Sequence, residues 1–196
     1  MSRYSSDDPY LDAATGVLIN RLRITDAATL EQAEAALVAT RSYELAQTPL
    51  KGGFDLAHFQ AIHHYLFGDL YEWAGQLRTV DISKGSSHFA HHGHIASAAV
   101  TTFKQLAEEK NLTGLDPAAF GKRAAYFFGE LNALHPFREG NGRALREFLS
   151  HLAYANGYYL AWEHMKQIDV QQAAIDSFQG DASRLAELIL ENLQPL

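Results

Sequence analysis

There is no cysteine anywhere in the 196 residues. That excludes a disulfide framework and a thiolate nucleophile together. Positive charge is also scarce. Lys and Arg number 16 against 23 Asp and Glu, a formal net charge of −7, so general electrostatics gives no reason to sit on DNA, RNA or an anionic membrane. No apolar run approaches the roughly 20 residues of a membrane span. The opening Ser-Arg-Tyr-Ser-Ser-Asp-Asp stretch lacks the apolar core of a signal peptide. Repeats, low-complexity tracts and linkers are missing too. What remains is the expectation of a cytoplasmic globular protein that contacts neither nucleic acid nor membrane directly. The apolar share of 47% is ordinary for one packed core.

Most of that core reads as helix. Asp26 to Gln47 is rich in Ala, Leu, Glu and Gln, with Leu30, Ala33, Leu37 and Leu45 at near-helical spacing. Asp55 stands where it can cap a second helix bearing Leu56, Phe59, Ile62 and Leu66. Residues 94–110 resume the helical period through Ile95, Val100, Phe103 and Leu106. Asp116-Pro117 starts a helix that runs to about Leu134 and stops before Pro136, because the residue ahead of proline is pushed out of the α region. Another runs from near Gly142 to about Asn156, with Gly157 as its stop, and Gly180-Asp181 opens a last one carrying Leu185, Leu188, Ile189 and Leu193. Only residues 78–90 show a period of two: Val80 and Ile82 alternate with Thr79, Asp81 and Ser83, then Lys84 to Ser87 turns and His88 to Ala90 returns. The expected fold class is mainly α with one β-hairpin.

The chemistry is concentrated in residues 135–146, His-Pro-Phe-Arg-Glu-Gly-Asn-Gly-Arg-Ala-Leu-Arg. The helix boundaries put this run in a loop, with Gly140-Asn141-Gly142 at the start of the following helix. Unpaired N–H groups and the positive dipole end make that start an anion site, and glycine lets the backbone approach a phosphate closely. Arg143 and Arg146 are spaced i, i+3, so both reach the same side. Two cations at a helix N-terminus oppose the dipole unless an anion binds there, and guanidinium forks suit phosphate. Glu139 beside such a site calls for a bridging cation, for which Mg²⁺ is the usual choice. His135, with an ordinary pKa of about 6.5, suits taking a proton from an incoming hydroxyl. Phe137 is the apolar anchor of the loop. Taken singly, each residue is better explained as a turn with solvated arginines and a packed histidine. All of them in this order are not.

His135-Pro-Phe137-x-Glu139-Gly140-Asn141-Gly142-Arg143-x-x-Arg146 resembles the full Fic motif. Ile82-Ser83-Lys84-Gly85, closing with Phe89, is similar to the family's flap hairpin. Ile62-His63, Leu66-Phe67, Asp69-Leu70-Tyr71 and Trp73 to Arg78 resemble the helix and lead that precede it. The likeness covers about residues 55–180, leaving 1–54 as an N-terminal helical extension, similar to that of single-domain bacterial Fic toxins, and 181–196 as a C-terminal helix. The resemblance implies the Fic (Fido) helical fold with its flap. It also implies transfer of AMP from ATP to a Ser, Thr or Tyr hydroxyl of a target protein, with His135 as general base and Glu139 on Mg²⁺. Asn141 with Gly140 and Gly142 would cradle the α-phosphate region, and Arg143 and Arg146 the outer phosphates. Lys84 would border the nucleotide from the flap, Asn132 would shape the pocket, and Gln172 and Ala173 would fall on the adenine side. The target would dock by strand addition on flap residues 80–90. Relatives of this organisation imply a toxin acting on type II topoisomerase subunits of gyrase or topoisomerase IV.

Such toxins are restrained by a glutamate in a Ser/Thr-x-x-x-Glu-Gly/Asn helix that pairs with the second motif arginine, here Arg146. Ser183-x-x-x-Glu187 ends in Leu188, and Glu191-Asn192 lacks the leading hydroxyl residue. Inhibition in trans by a small antitoxin is therefore expected over inhibition in cis. His88, His91, His92 and His94 cluster beside the flap, with no cysteine or carboxylate among them in the sequence, and read as a target-contacting surface rather than a metal site. The rival functions are removal of AMP or transfer of another nucleotide or phosphate group, and a catalytically silent nucleotide-binding regulator.

Overall fold

A computed structural model describes residues 8–84 and 87–196. Among them are seven α-helices: α1 (Ala27–Gln47), α2 (Leu56–Phe67), α3 (Ile95–Glu108), α4 (Pro117–Leu134), α5 (Asn141–Ala155), α6 (Gln167–Phe178) and α7 (Ser183–Glu191). Aspartates close three of their N-termini. Asp26 accepts the Thr29 N–H, Asp55 the His58 N–H and Asp116 the Ala119 N–H, each at 2.8 Å. A cap of this kind contributes about 1 kcal/mol.

The axis of the fold is α4, packed against α3, α5, α6 and α7. Its Phe120, Ala124, Phe127, Phe128 and Leu131 are buried, and they meet the buried Leu145, Phe148, Leu149 and Leu152 of α5 and the Leu185 and Ile189 of α7 within one core. Beyond Leu134 the chain turns sharply, with His135 left-handed at φ 45°. Gly140, also left-handed, delivers the chain into α5. The motif loop is thus strung between two core helices.

The hairpin is shorter than its alternation suggests. β1 is Ser83–Lys84 and β2 is Ser87–His88, antiparallel with Ser83 opposite His88; the turn residues 85–86 lie outside the described part. Val80 and Ile82 do not join a ladder. Arg78 lies buried and donates to the carbonyl of Val80 at 2.6 Å, which commits that carbonyl elsewhere. A second small sheet was not legible in the sequence: β3 (Tyr158–Leu160) pairs antiparallel with β4 (Leu193–Pro195), pinning the C-terminus beside α5. No helix among the described residues is long and apolar enough to cross a membrane.

One buried histidine ties α2 to the motif loop. The ring of His63 takes the Gly75 N–H on Nδ1 at 2.9 Å, and its Nε2 sits 2.9 Å from the carbonyl of Glu139. A carbonyl only accepts and an amide only donates, so the ring is neutral with its hydrogen on Nε2. Burial pushes its pKa down to about 3. The unfolded ring takes its proton near pH 6.5, so stability is complete above that value and is lost as pH falls towards 3, by on the order of 1 kcal/mol at pH 5.5. Urea unfolding at pH 7.5 and 5.5, with an NMR titration of the ring, checks this. The expected result is a lower midpoint at pH 5.5 and no ring titration above pH 4.5. A ring midpoint near 6 in the folded protein would contradict the assignment.

Candidate active site

Residues 135–141 form a bend closed by its own side chain. The Asn141 carboxamide accepts the Phe137 N–H and donates to the Phe137 carbonyl, both at 2.8 Å. Phe137 is buried and stacks on His63 at 3.8 Å. The amide of Asn141 is therefore engaged within the loop, and what it offers a ligand is backbone at the start of α5. The glycines divide their roles as well. Gly140 has φ +80°, and a Cβ there would stand 2.3 Å from the Phe67 ring, so conformation and packing require it. A Cβ on Gly142 would meet nothing within 4 Å, and the first turn of α5 is open on that side.

The open end of α5 faces a cavity of about 1010 Å³. The motif contributes His135, Glu139, Gly140 to Arg143 and Arg146 to its lining; Asn132 joins from α4, Leu30 and Glu34 from α1, and Gln171 and Phe178 from α6. His135 stacks flat on Phe89 at 3.7 Å, and its Nδ1 lies 3.2 Å from the Asn132 carbonyl. That carbonyl places the ring hydrogen on Nδ1 and makes Nε2 the basic nitrogen. Oε1 of Glu139 accepts the Gly140 N–H at 2.9 Å, which leaves its second oxygen for a cation. One carboxylate beside phosphate oxygens is a donor set that fits Mg²⁺.

The two arginines differ. Arg143 is paired within the protein, 2.5 Å from Glu34 and 3.7 Å from Glu139, and its guanidinium lies over Phe67 at 4.8 Å. Its counter-charge is thus already present, which corrects the inference that only a bound anion could balance it. Arg146 has no carboxylate within ion-pair distance among the described residues. Burial first, and then the charge of Arg143, hold its pKa below the usual guanidinium value. Glu147 raises it again, but among the described residues no carboxylate forms an ion pair with it beside the cavity.

The sequence model of the Fic/DOC family matches residues 53–153. The chain belongs to the Fic/DOC family. It is 50% identical to the "Protein adenylyltransferase VbhT" of Bartonella schoenbuchensis over 98% of its own length, and spans 41% of that longer protein. It is 39% identical to the "Probable protein adenylyltransferase Fic" of Escherichia coli K12, covering 91% of this chain and 88% of that one. Among solved structures, the Bartonella tribocorum BepC protein with bound AMPPNP superposes with a TM-score of 0.90 at 28% identity, covering 95% of this chain and 97% of that one.

Other Fic-based expectations separate once placed in three dimensions. Lys84 lies in β1, but its side chain is outside the described part. Helix α6 does wall the cavity, through Gln171 and Ala174. The expected Gln172 and Ala173 do not: Gln172 is exposed and bonded to Asp176, and Ala173 faces the core. Glu187 and Glu191 are exposed on α7, no residue of which lines the cavity. A carboxylate does join the histidine cluster: Asp81 takes the His92 N–H at 2.7 Å and lies 3.0 Å from its Nδ1 and 3.4 Å from Nε2 of His91. Sequence reading missed Glu34, the neutral His63 and the buried Arg78. Glu34 had a signal, because it sits four residues from both Leu30 and Val38 on the buried stripe of α1.

Gly140→Ala tests the bend. Left-handed strain and collision with the buried Phe67 together should cost about 2–4 kcal/mol. Thermal or urea unfolding measures it, and a loss below 1 kcal/mol would mean that the turn tolerates a side chain.

Proposed function

We propose that this chain transfers AMP from ATP to a Ser, Thr or Tyr hydroxyl of a target protein. The observation that carries the reading is Arg146, a half-buried guanidinium with no ion-paired carboxylate among the described residues, beside a helix N-terminus that opens on a cavity. An anion with several oxygens completes that arrangement. The relatives named protein adenylyltransferase and the nucleotide-bound BepC support the choice of ATP.

In this reading the outer phosphates lie against Arg143 and Arg146, and the α-phosphate lies at the first turn of α5. His135 Nε2 receives the proton of the target hydroxyl. The hydroxyl oxygen bonds to the α-phosphorus as the bond to the bridging oxygen of the β-phosphate breaks, and pyrophosphate leaves. Mg²⁺, held by Glu139, would supply charge neutralisation between the phosphates. Stacking on Phe89, which follows the hairpin, couples the orientation of His135 to the flap. A target segment paired along residues 80–90 would present its hydroxyl there. The finer expectations go with this proposal: a cytoplasmic toxin, a type II topoisomerase subunit as target on resemblance alone, and restraint in trans by a small antitoxin. The exposed positions of Glu187 and Glu191, and the lack of an ion-paired carboxylate on Arg146 among the described residues, favour restraint in trans.

Incubation of the protein with a bacterial lysate and Mg²⁺ tests the reading. ATP labelled on the α-phosphate should mark a target band, and γ-labelled ATP should not. His135→Ala should lower labelling about 10²-fold or more while ADP binding persists. Label arriving from the γ-phosphate, or undiminished labelling by His135→Ala, would overturn it.

A further inference from the structure

Helix α1 lies outside the segment that the family model matches, yet one of its side chains enters the site. Glu34 is 8% exposed, on a stripe otherwise occupied by Leu30, Val38 and Leu45. A carboxylate in such a seam carries a desolvation cost unless both oxygens are answered. Here they are. Oε1 meets Nη2 of Arg143 at 2.5 Å, and Oε2 accepts the Tyr71 hydroxyl at 2.5 Å. Tyr71 is itself buried, stacked on Trp73 at 4.4 Å. Burial and the charge of Glu34 raise its pKa, so it remains a donor. The Tyr71–Glu34–Arg143 chain thus joins the segment after α2, helix α1 and the first turn of α5.

We propose that Glu34 is a positioning residue for the phosphate site: held by Tyr71, it grips one edge of the Arg143 guanidinium so that the other donors meet the outer phosphates of the nucleotide. This rests on the reading of the cavity as an ATP site. Arginine has five donors in a rigid fork, so one contact fixes the direction of the rest. Without Glu34, Arg143 keeps only the face of Phe67 and the more distant, cation-binding Glu139. The N-terminal helix is then a working part of the active site.

Calorimetric titration of the full chain with ADP and with AMP, in Mg²⁺, tests this. AMP has no outer phosphate, so a fault confined to Arg143 spares it. Wild type should bind ADP more tightly than AMP; no such preference would remove the ATP reading and this proposal with it. Glu34→Ala should weaken ADP about three- to ten-fold, the cost of ordering a freed side chain, and leave AMP within two-fold. Glu34→Gln, whose amide oxygen still accepts from Arg143 while its NH2 can donate to the Tyr71 hydroxyl oxygen, should restore most of the difference. Unchanged or tighter ADP binding by Glu34→Ala overturns the proposal, the latter because Glu34 would then repel phosphate. If Glu34→Ala loses both ligands through misfolding, Tyr71→Phe decides. A two- to three-fold fall in the ADP-to-AMP preference supports the chain of contacts, and an unchanged preference overturns it.

Discussion

The site depends on one buried cation that lies outside the lining of the cavity. The guanidinium of Arg78 donates to four backbone carbonyls: His135 at 2.8 Å, Val80 at 2.6 Å, Ala90 at 2.5 Å and Leu134 at 3.2 Å. Its own backbone N–H reaches the Pro136 carbonyl at 2.9 Å. One side chain thus gathers the end of α4, the motif loop and both ends of the segment that carries the hairpin. Withdrawing a guanidinium from water costs several kcal/mol. Charge-assisted bonds to carbonyls return about 1.5–3 kcal/mol each, so the arrangement holds only while those carbonyls stay converged. Asp81 stands 3.7 Å away as the nearest counter-charge. His63 does for the Glu139 end of the loop what Arg78 does for the His135 end.

With its ends fixed, the loop presents charge in a set pattern. Two guanidiniums and two carboxylates meet at the start of α5, and they do not simply cancel. Glu34 and Glu139 both flank Arg143, while Arg146, one turn further along α5, is half-buried, feels the charge of Glu147, and forms no ion pair among the described residues. The local imbalance favours an incoming anion, although the whole chain is acidic at −7. Net charge therefore bears on partners such as nucleic acid, and local geometry decides the ligand.

Much of this was legible in the sequence. Helix starts marked by Asp26, Asp55 and Asp116 lie where the capping rule places them, because a short carboxylate at that position answers a local N–H and needs no tertiary partner. The motif loop fell between two helices because Pro136 and Gly140 impose backbone limits that no packing overrides. The hairpin turns where expected, but its first strand is shortened: the Arg78 guanidinium takes the Val80 carbonyl, a contact with no periodic signature. The three-residue strands β3 and β4 are too short to show alternation. Pairing of Glu34 with Arg143 spans 109 positions. Nothing local announces it beyond a charged residue in an apolar stripe.

The most direct measurement is a crystal structure of the protein with ADP and Mg²⁺. The account predicts the diphosphate at the first turn of α5, within hydrogen-bond reach of Arg143 and Arg146, with Arg143 still against Glu34 and the His135 ring still on Phe89. A diphosphate seated elsewhere, with Arg146 turned away from it, would contradict the account.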